Sequence, residues 1–225
     1  MNSLLVKYPQ LLRLLYPKRL SVISEVKSIY LTFDDGPISG VTPWVLEQLS
    51  RFDARATFFC IGDNIRKHPQ VFKQILAEGH SIGNHTYNHL NGWKTSEKDY
   101  LKNTAKAQEL IEEFQLKRKE ESGEWKLESE KFDRKFFRPP YGRIKNRQAS
   151  TLTGLGYKIV MWDIISWDFD KKIKPEECYQ NVIRNSKEGS IVVFHDSLKA
   201  SGNLKEVLPR VLQYYSEKGF CFKAL

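Results

Sequence analysis

The chain has 225 residues, with 36 Lys and Arg against 27 Asp and Glu, a formal net charge of +9 and 12% aromatic residues. Frequent aromatic residues argue against a disordered chain, and no apolar run reaches the roughly 20 residues of a membrane-spanning helix. The positive excess is compatible with nucleic acid, a lipid surface or an acidic cell-wall polymer as partner. Three cysteines without a CxxC spacing argue against a disulfide framework and against a Cys-based zinc site.

The first 28 residues form a basic segment. Within its first 24 residues there is no acidic residue, and the basic ones are Lys7, Arg13, Lys18 and Arg19. A secretory signal needs roughly 7 to 15 unbroken apolar residues, and this segment is interrupted by charges and by Pro9. We therefore expect residues 1–28 to pack on a domain of residues 29–225 in a cytoplasmic protein. Weak association of residues 1–24 with the cell envelope is the alternative.

From residue 29 onward, short β-rich runs alternate with helical stretches, which is typical of β/α units around a mainly parallel sheet. The predicted strands are 29–33, 56–61, 81–84, 136–138, 158–163, 190–194 and 220–222. The predicted helices are 43–51, 70–78, 97–114, 146–155, 175–185 and 205–218. Because no Pro/Gly/Ser-rich linker divides these units, we expect one closed or nearly closed β/α barrel.

One charged insertion, residues 117–135, interrupts this alternation. It contains seven basic and six acidic residues around Trp125. A solvated helix extension or hairpin is the simpler interpretation, and a substrate-facing flap anchored by Trp125 is the alternative.

Two adjacent carboxylates, Asp34 and Asp35, end the first predicted strand and are followed directly by Gly36 and Pro37. Gly-Pro cannot continue a strand, and β/α barrels place their active sites at such strand ends. Taken alone, this sequence is more simply a turn. A second cluster of polar residues makes a functional site the better interpretation.

That second cluster contains three of the five histidines, His80, His85 and His89. On a helical turn, a spacing of four places the last two imidazoles on one face, where they would bind one metal ion. Thr86 occupies the Glu position of an HExxH motif, so a base must come from elsewhere. Two His and one Asp leave a fourth position for water, as in catalytic zinc sites. His80 is expected in the core or behind the ligands.

Three more strand ends carry polar residues. The sequence RPPYG begins with Arg138, WDIISWDF includes Asp168, and IVVFHD ends an apolar run in His195 and Asp196. A histidine at a strand end titrates near neutral pH and is suited to acid–base chemistry.

In their order, the five motifs resemble those of polysaccharide deacetylases of the NodB-homology type, carbohydrate esterase family 4. The resemblance extends from about Ile29 to Phe222. It implies an α/β fold with a single distorted (β/α)7 barrel, and one divalent metal, usually zinc, with cobalt or nickel as substitutes. It also implies hydrolysis of N-acetyl groups on N-acetylglucosamine polymers such as peptidoglycan or chitin-like oligomers.

The resemblance further implies roles for single residues. Asp34 corresponds to the general base of the family. Its metal ligands correspond to Asp35, His85 and His89.

Four other positions complete the implied mechanism. Arg138 orients the base and pairs with Asp168, while the backbone N–H of Tyr141 stabilises the oxyanion. His195 corresponds to the general acid.

The chain departs from the family at the acetate pocket and its surroundings. Phe169 stands in place of Trp, Ile165 in place of a frequent Asp, and Val193 in place of Leu. Because Phe169 and Val193 remain apolar, acetyl binding is expected to persist. The alternatives are an O-acetyl xylan esterase using the same site, a non-catalytic glycan-binding module, and a nucleic-acid binder suggested only by charge. We expect an acetylated glycan as partner and no nucleic acid.

Overall fold

The computed structural model describes residues 6–122 and 135–225. The strands are β1 (Ser28–Asp34), β2 (Thr57–Cys60), β3 (Ser81–Asn84), β4 (Lys135–Phe137), β5 (Tyr157–Ile159), β6 (Ile164–Ile165), β7 (Ile191–His195) and β8 (Cys221–Phe222). The α-helices are α1 (Gln10–Leu15), α2 (Thr42–Arg51), α3 (Gly62–Lys67), α4 (Pro69–Ala77), α5 (Glu97–Ser122), α6 (Asn146–Gly154), α7 (Pro175–Ile183) and α8 (Ser201–Glu217). Short 3-10 helices lie at Gly92–Lys94 and Pro140–Gly142.

The strands form one parallel, curled sheet in the order β5-β4-β3-β2-β1-β7-β6, with β8 pairing to the start of β1. Every residue of β1 is buried, as expected for a central parallel strand covered on both faces. This confirms the predicted single distorted (β/α)7 barrel. Because the strands are parallel, their C-terminal ends meet at one side of the sheet, called here the carboxyl edge. The register places Asp34 of β1 opposite His195 of β7.

A stack of aromatic side chains lies directly beneath the carboxyl edge. The ring centroid of Phe33 lies 5.1 Å from that of Phe58 and 6.1 Å from that of Phe194, and all three rings are buried. Burial of each ring stabilises the fold by roughly 2 to 3 kcal/mol. Since Asp34 follows Phe33 and His195 follows Phe194, this packing fixes the positions of both polar residues.

The N-terminal segment lies between the two ends of the sheet, β5 and β6. Leu20 donates its N–H to the carbonyl of Ile159 at 2.9 Å and accepts one from Met161 at 2.7 Å. Tyr8 donates its N–H to the carbonyl of Asp163 at 3.0 Å. Backbone groups that would otherwise be unpaired at these strand ends are thereby satisfied.

The basic side chains of this segment have different surroundings. Arg13 forms an ion pair with the buried Asp163, whereas Lys7 and Lys18 are exposed. A surface association of the segment stays a prediction. In the described ranges, no helix is both long and apolar enough to cross a membrane.

Several element boundaries differ from the sequence prediction. The strand predicted over 158–163 ends at Ile159 as part of β5, and β6 begins only at Ile164, beyond the predicted range. Helices α1 and α3 were not predicted. The helix predicted over 97–114 continues to Ser122 and includes the first part of the charged insertion. Residues 123–134, with Trp125, lie outside the described residues.

Candidate active site

Asp34 is held by a buried arginine. Nη1 of Arg138 lies 2.6 Å from Oδ1 of Asp34 and also donates to Oγ1 of Thr32 at 2.8 Å. Nη2 of the same guanidinium donates to the carbonyl of Met161 at 2.8 Å. Arg138 is only 1% exposed, so its charge needs these partners and is matched by the Asp34 carboxylate. The pair therefore holds one carboxylate in a fixed orientation at the carboxyl edge.

Asp35, His85 and His89, called here the ligand cluster, direct one potential ligand atom each toward the others. One ligand atom from each lies within 4.8 Å of the other two. Oδ1 of Asp35 lies 3.2 Å from Nε2 of His89 and 3.8 Å from Nε2 of His85. This oxygen is buried and has no hydrogen-bond partner among the described residues. A buried acceptor without a donor, facing two imidazole nitrogens, fits a bound cation.

The loop that carries both histidines is not the helical turn that the spacing predicted. Thr86 and His89 have φ angles of 63° and 55°, and side chains replace the missing helical hydrogen bonds. Oδ1 of Asn84 accepts the N–H of Thr86 at 2.8 Å, and Oδ1 of Asn103 accepts two further N–H groups at 2.8 and 3.0 Å. The imidazole centroids of His85 and His89 nevertheless lie 5.0 Å apart, because these amides fix the loop.

The second nitrogen of each histidine has its own partner. Nδ1 of His85 donates to the carbonyl of Arg138 at 2.7 Å, and Nδ1 of His89 lies 3.1 Å from the hydroxyl of Tyr141. Such bonds orient the rings and leave Nε2 free to bind a metal. Burial lowers the pKa of His85 to about 4, so its ring is neutral, as a metal ligand must be.

Asp168 and His195, called here the acid pair, lie on the side of Asp34 opposite to the ligand cluster. Oδ1 of Asp168 lies 2.8 Å from Nδ1 of His195, and Oδ2 accepts the backbone N–H of His195 at 2.8 Å. Burial opposes protonation of His195, but the Asp168 charge and hydrogen bond outweigh it and raise the pKa of His195 to about 9. His195 is therefore protonated at neutral pH.

The implied pairing of Asp168 with Arg138 is wrong. Both carboxylate oxygens of Asp168 bond to His195, and Arg138 bonds to Asp34 instead. The reason is topological: β6 lies beside β7, which ends in His195, whereas β4, which precedes Arg138, lies on the other side of β1.

The structure also places the three residues expected to contact the substrate, which are Val193, Phe169 and Tyr141. Val193 is buried on the same face of β7 as His195, two residues before it in the strand. The ring of Phe169 contacts that of His195 edge to face, with centroids 4.7 Å apart. Tyr141 has a φ of 60°, and its turn uses the N–H groups of Gly142 and Arg143 for internal hydrogen bonds.

A fourth carboxylate, Asp196, braces the turn that carries Asp35. It is fully buried and accepts hydrogen bonds from the N–H of Gly36 at 3.0 Å and from Oγ1 of Thr42 at 2.6 Å. A Cβ at Gly36 would lie 2.0 Å from Oδ2 of Asp196, so only glycine fits there. Sequence reasoning missed this role, and its only signal was that Asp196 directly follows His195.

A parallel β/α barrel with a partly buried Asp-His-His cluster, an Asp–Arg pair and an Asp–His pair at its carboxyl edge is the architecture of a metal-dependent hydrolase. The chain belongs to the polysaccharide deacetylase family, whose model matches residues 22–160. This confirms the resemblance, although the acid pair lies beyond the matched range.

Known proteins similar to this chain share most of its length. Two Bacillus cereus proteins named peptidoglycan-N-acetylglucosamine deacetylase are 34% and 36% identical and align with 88% and 87% of this chain. The chain spans 66% of the length of the first and 85% of the second. A crystal structure of a peptidoglycan N-acetylglucosamine deacetylase has a TM-score of 0.80 and 31% identity, covering 92% of this chain and 90% of that one.

Proposed function

We propose that this protein is a metal-dependent hydrolase that removes N-acetyl groups from an N-acetylglucosamine-containing polysaccharide, either peptidoglycan or a chitin-like oligomer. The observation that carries the proposal is the meeting of the Asp34–Arg138 pair, the ligand cluster and the acid pair at one carboxyl edge. Hydrolysis of an amide needs a base, an electrophile and an acid, and these three groups supply them. The names of the relatives support the same substrate class.

The ligand cluster would hold one divalent ion. Asp35, His85 and His89 offer one oxygen and two nitrogens, a donor set that suits zinc best and also accepts cobalt or nickel. When bound, such an ion polarises the acetyl carbonyl and lowers the pKa of water from 15.7 toward about 7.

The residues around the cluster would move the protons. Asp34, oriented by its pairing with Arg138, would accept a proton from the attacking water. The N–H of Tyr141 would donate to the oxyanion, an interaction of about 3 to 4 kcal/mol in other hydrolases. His195 donates a proton to the departing amine nitrogen, while Asp168 holds the imidazolium in place. Phe169 and Val193 would contact the methyl of the acetyl group.

Acetate release from N-acetylated chito-oligosaccharides and from peptidoglycan tests this proposal. A chelator, or Asp34→Asn, should abolish release, and added zinc should restore the chelated enzyme but not the variant. Asp53→Asn is a matched control because the Asp53 side chain is exposed and outside the site. Undiminished release after chelation, or by Asp34→Asn, would contradict the proposal.

A further inference from the structure

An exposed tryptophan lies just beyond the ligand cluster. Trp93, in the 3-10 helix Gly92–Lys94, is 59% exposed, and Tyr141 is 62% exposed. Among the large apolar residues that the structure describes as exposed, these two are the aromatic ones. Leaving an indole in water forgoes the stabilisation that its burial would give. The indole is therefore available to a partner outside the fold.

The indole is held in one orientation. The N–H of Gly92 donates to the carbonyl of Arg143 at 3.1 Å, and Nε1 of Trp93 donates to the carbonyl of Ile144 at 3.4 Å. Oδ1 of Asn91 accepts the backbone N–H of Trp93 at 3.0 Å. A Cβ at Gly92 would lie 2.5 Å from the Arg143 carbonyl, so the close approach of the two loops requires glycine. A fixed aromatic surface binds a ligand at a lower entropic cost than a mobile one.

The tryptophan and the ligand cluster belong to one surface. Trp93 follows His89 by four residues, which span at most roughly 14 Å of chain. Arg143 follows Tyr141 by two residues, and the Tyr141 ring lies 4.5 Å from that of His89. The indole thus lies within a few sugar rings of the ligand cluster.

Arg143 adds a charge beside the indole. Its guanidinium carbon lies 5.1 Å from the centroid of the Trp93 ring, and the residue is exposed. Within residues 6–122 and 135–225, no carboxylate pairs with it at ion-pair distance. A guanidinium against one face of an indole braces the ring and leaves its own N–H groups for an acidic group.

We propose that Trp93 and Arg143 form a second glycan subsite, in which the indole packs against a pyranose ring adjoining the N-acetyl sugar under attack. Arg143 makes an acidic strand, such as peptidoglycan, a better ligand than a neutral chitin oligomer. The apolar C–H face of a pyranose suits an aromatic surface, and a carboxylate on the strand suits the guanidinium. This inference rests on the proposed function and names the substrate that the site selects.

Chain-length dependence tests the stacking surface. Trp93→Ala should raise KM for the N-acetylglucosamine pentamer about tenfold relative to the dimer, with a much smaller change in kcat. Trp93→Phe should recover most of the loss, because a smaller ring still stacks. Val26→Ala is the control: it removes another exposed apolar side chain, just before β1 begins, and should leave KM for both oligomers unchanged. Equal effects of Trp93→Ala on pentamer and dimer would overturn the subsite.

The charge is tested with acidic substrate. Arg143→Gln should reduce the preference for soluble peptidoglycan fragments over the neutral pentamer by roughly threefold, and added salt should mimic the substitution. Arg147→Gln is the matched control, an exposed arginine in the first turn of α6. An unchanged preference in Arg143→Gln would overturn the role of Arg143.

Direct binding separates this inference from the proposed function. Calorimetry with the pentamer is carried out in the Asp34→Asn background, with and without Trp93→Ala, so that no substrate is consumed. Weaker binding with Trp93→Ala supports the subsite even if the wild-type protein releases no acetate, in which case only the proposed function fails. Equal binding, or no binding of the pentamer to either, overturns the subsite.

Discussion

The ligand cluster and the acid pair each contain a buried histidine, and the two histidines are in opposite states. The pKa of His85 falls to about 4, whereas that of His195 rises to about 9. Burial disfavours the charge in both. His85 donates Nδ1–H to a neutral carbonyl, while His195 meets the carboxylate of Asp168 at 2.8 Å. The partner of Nδ1 therefore decides whether a buried histidine at this edge is a neutral ligand or a charged acid.

The largest expected effect comes from removing either histidine, and zinc content distinguishes the ligand cluster from the acid pair. His85→Ala should lose both bound zinc and at least about 10³-fold of acetate release, because a ligand is removed. His195→Ala should keep its zinc and lose about 10²- to 10⁴-fold on an amide substrate, since only the acid is missing. Zinc stoichiometry by elemental analysis, measured beside turnover, checks both. Loss of zinc from His195→Ala would contradict the comparison.

An acetyl ester needs less protonation of its leaving group than an amide does. His195→Ala should therefore retain more activity on an acetyl ester than on an amide.

A smaller effect on the rate is expected from changing Asp168, the partner of the general acid His195. Asp168→Asn removes the charge that raises the pKa of His195, so this pKa should fall to 6.5 or below. The wild-type rate should decline as the pH rises through about 9. In the variant the decline should start near pH 6, so that at pH 8 the rate is lower by at least roughly thirtyfold. A pH–rate profile that keeps its alkaline limb near 9 in Asp168→Asn would show that Asp168 does not set the state of His195.

The smallest effect uses a histidine outside the site. His80 is buried and accepts the N–H of Ala56 at its Nδ1, and burial lowers its pKa to about 4. Between pH 6.5 and 4 the unfolded chain binds a proton at His80 that the folded chain does not. Its contribution to stability is complete above pH 6.5 and declines by roughly 3 kcal/mol as the pH falls to 4.

His80→Asn keeps an acceptor near the position of Nδ1 but does not titrate. Urea unfolding at pH 5 and pH 7 should therefore show a smaller loss of stability on acidification in this variant than in wild type. Equal losses in the two proteins would mean that burial alone does not keep a histidine neutral in this fold.

The sequence alone indicated much of the site, because parallel strands bring their C-terminal ends together. Asp34, Arg138 and His195 could each be placed at the end of a predicted strand, and alternation of strands and helices does not depend on side-chain detail. The pair His85 and His89 was also found from its spacing, although the expected helical turn is a loop. Spacing showed that the rings are close, but not which backbone brings them together.

Only the tertiary structure decided the partners of the charged groups. Arg138 bonds to Asp34 and not to Asp168, because sheet order is a long-range property that local sequence does not encode. The brace from Asp196 to Gly36 joins residues 160 positions apart, and the N-terminal segment completes the hydrogen bonds between β5 and β6. The local sequence determines where strands and helices form and which polar residues follow the strands. Which charges neutralise each other depends on distances of a few ångströms, and these are fixed only when the whole barrel packs.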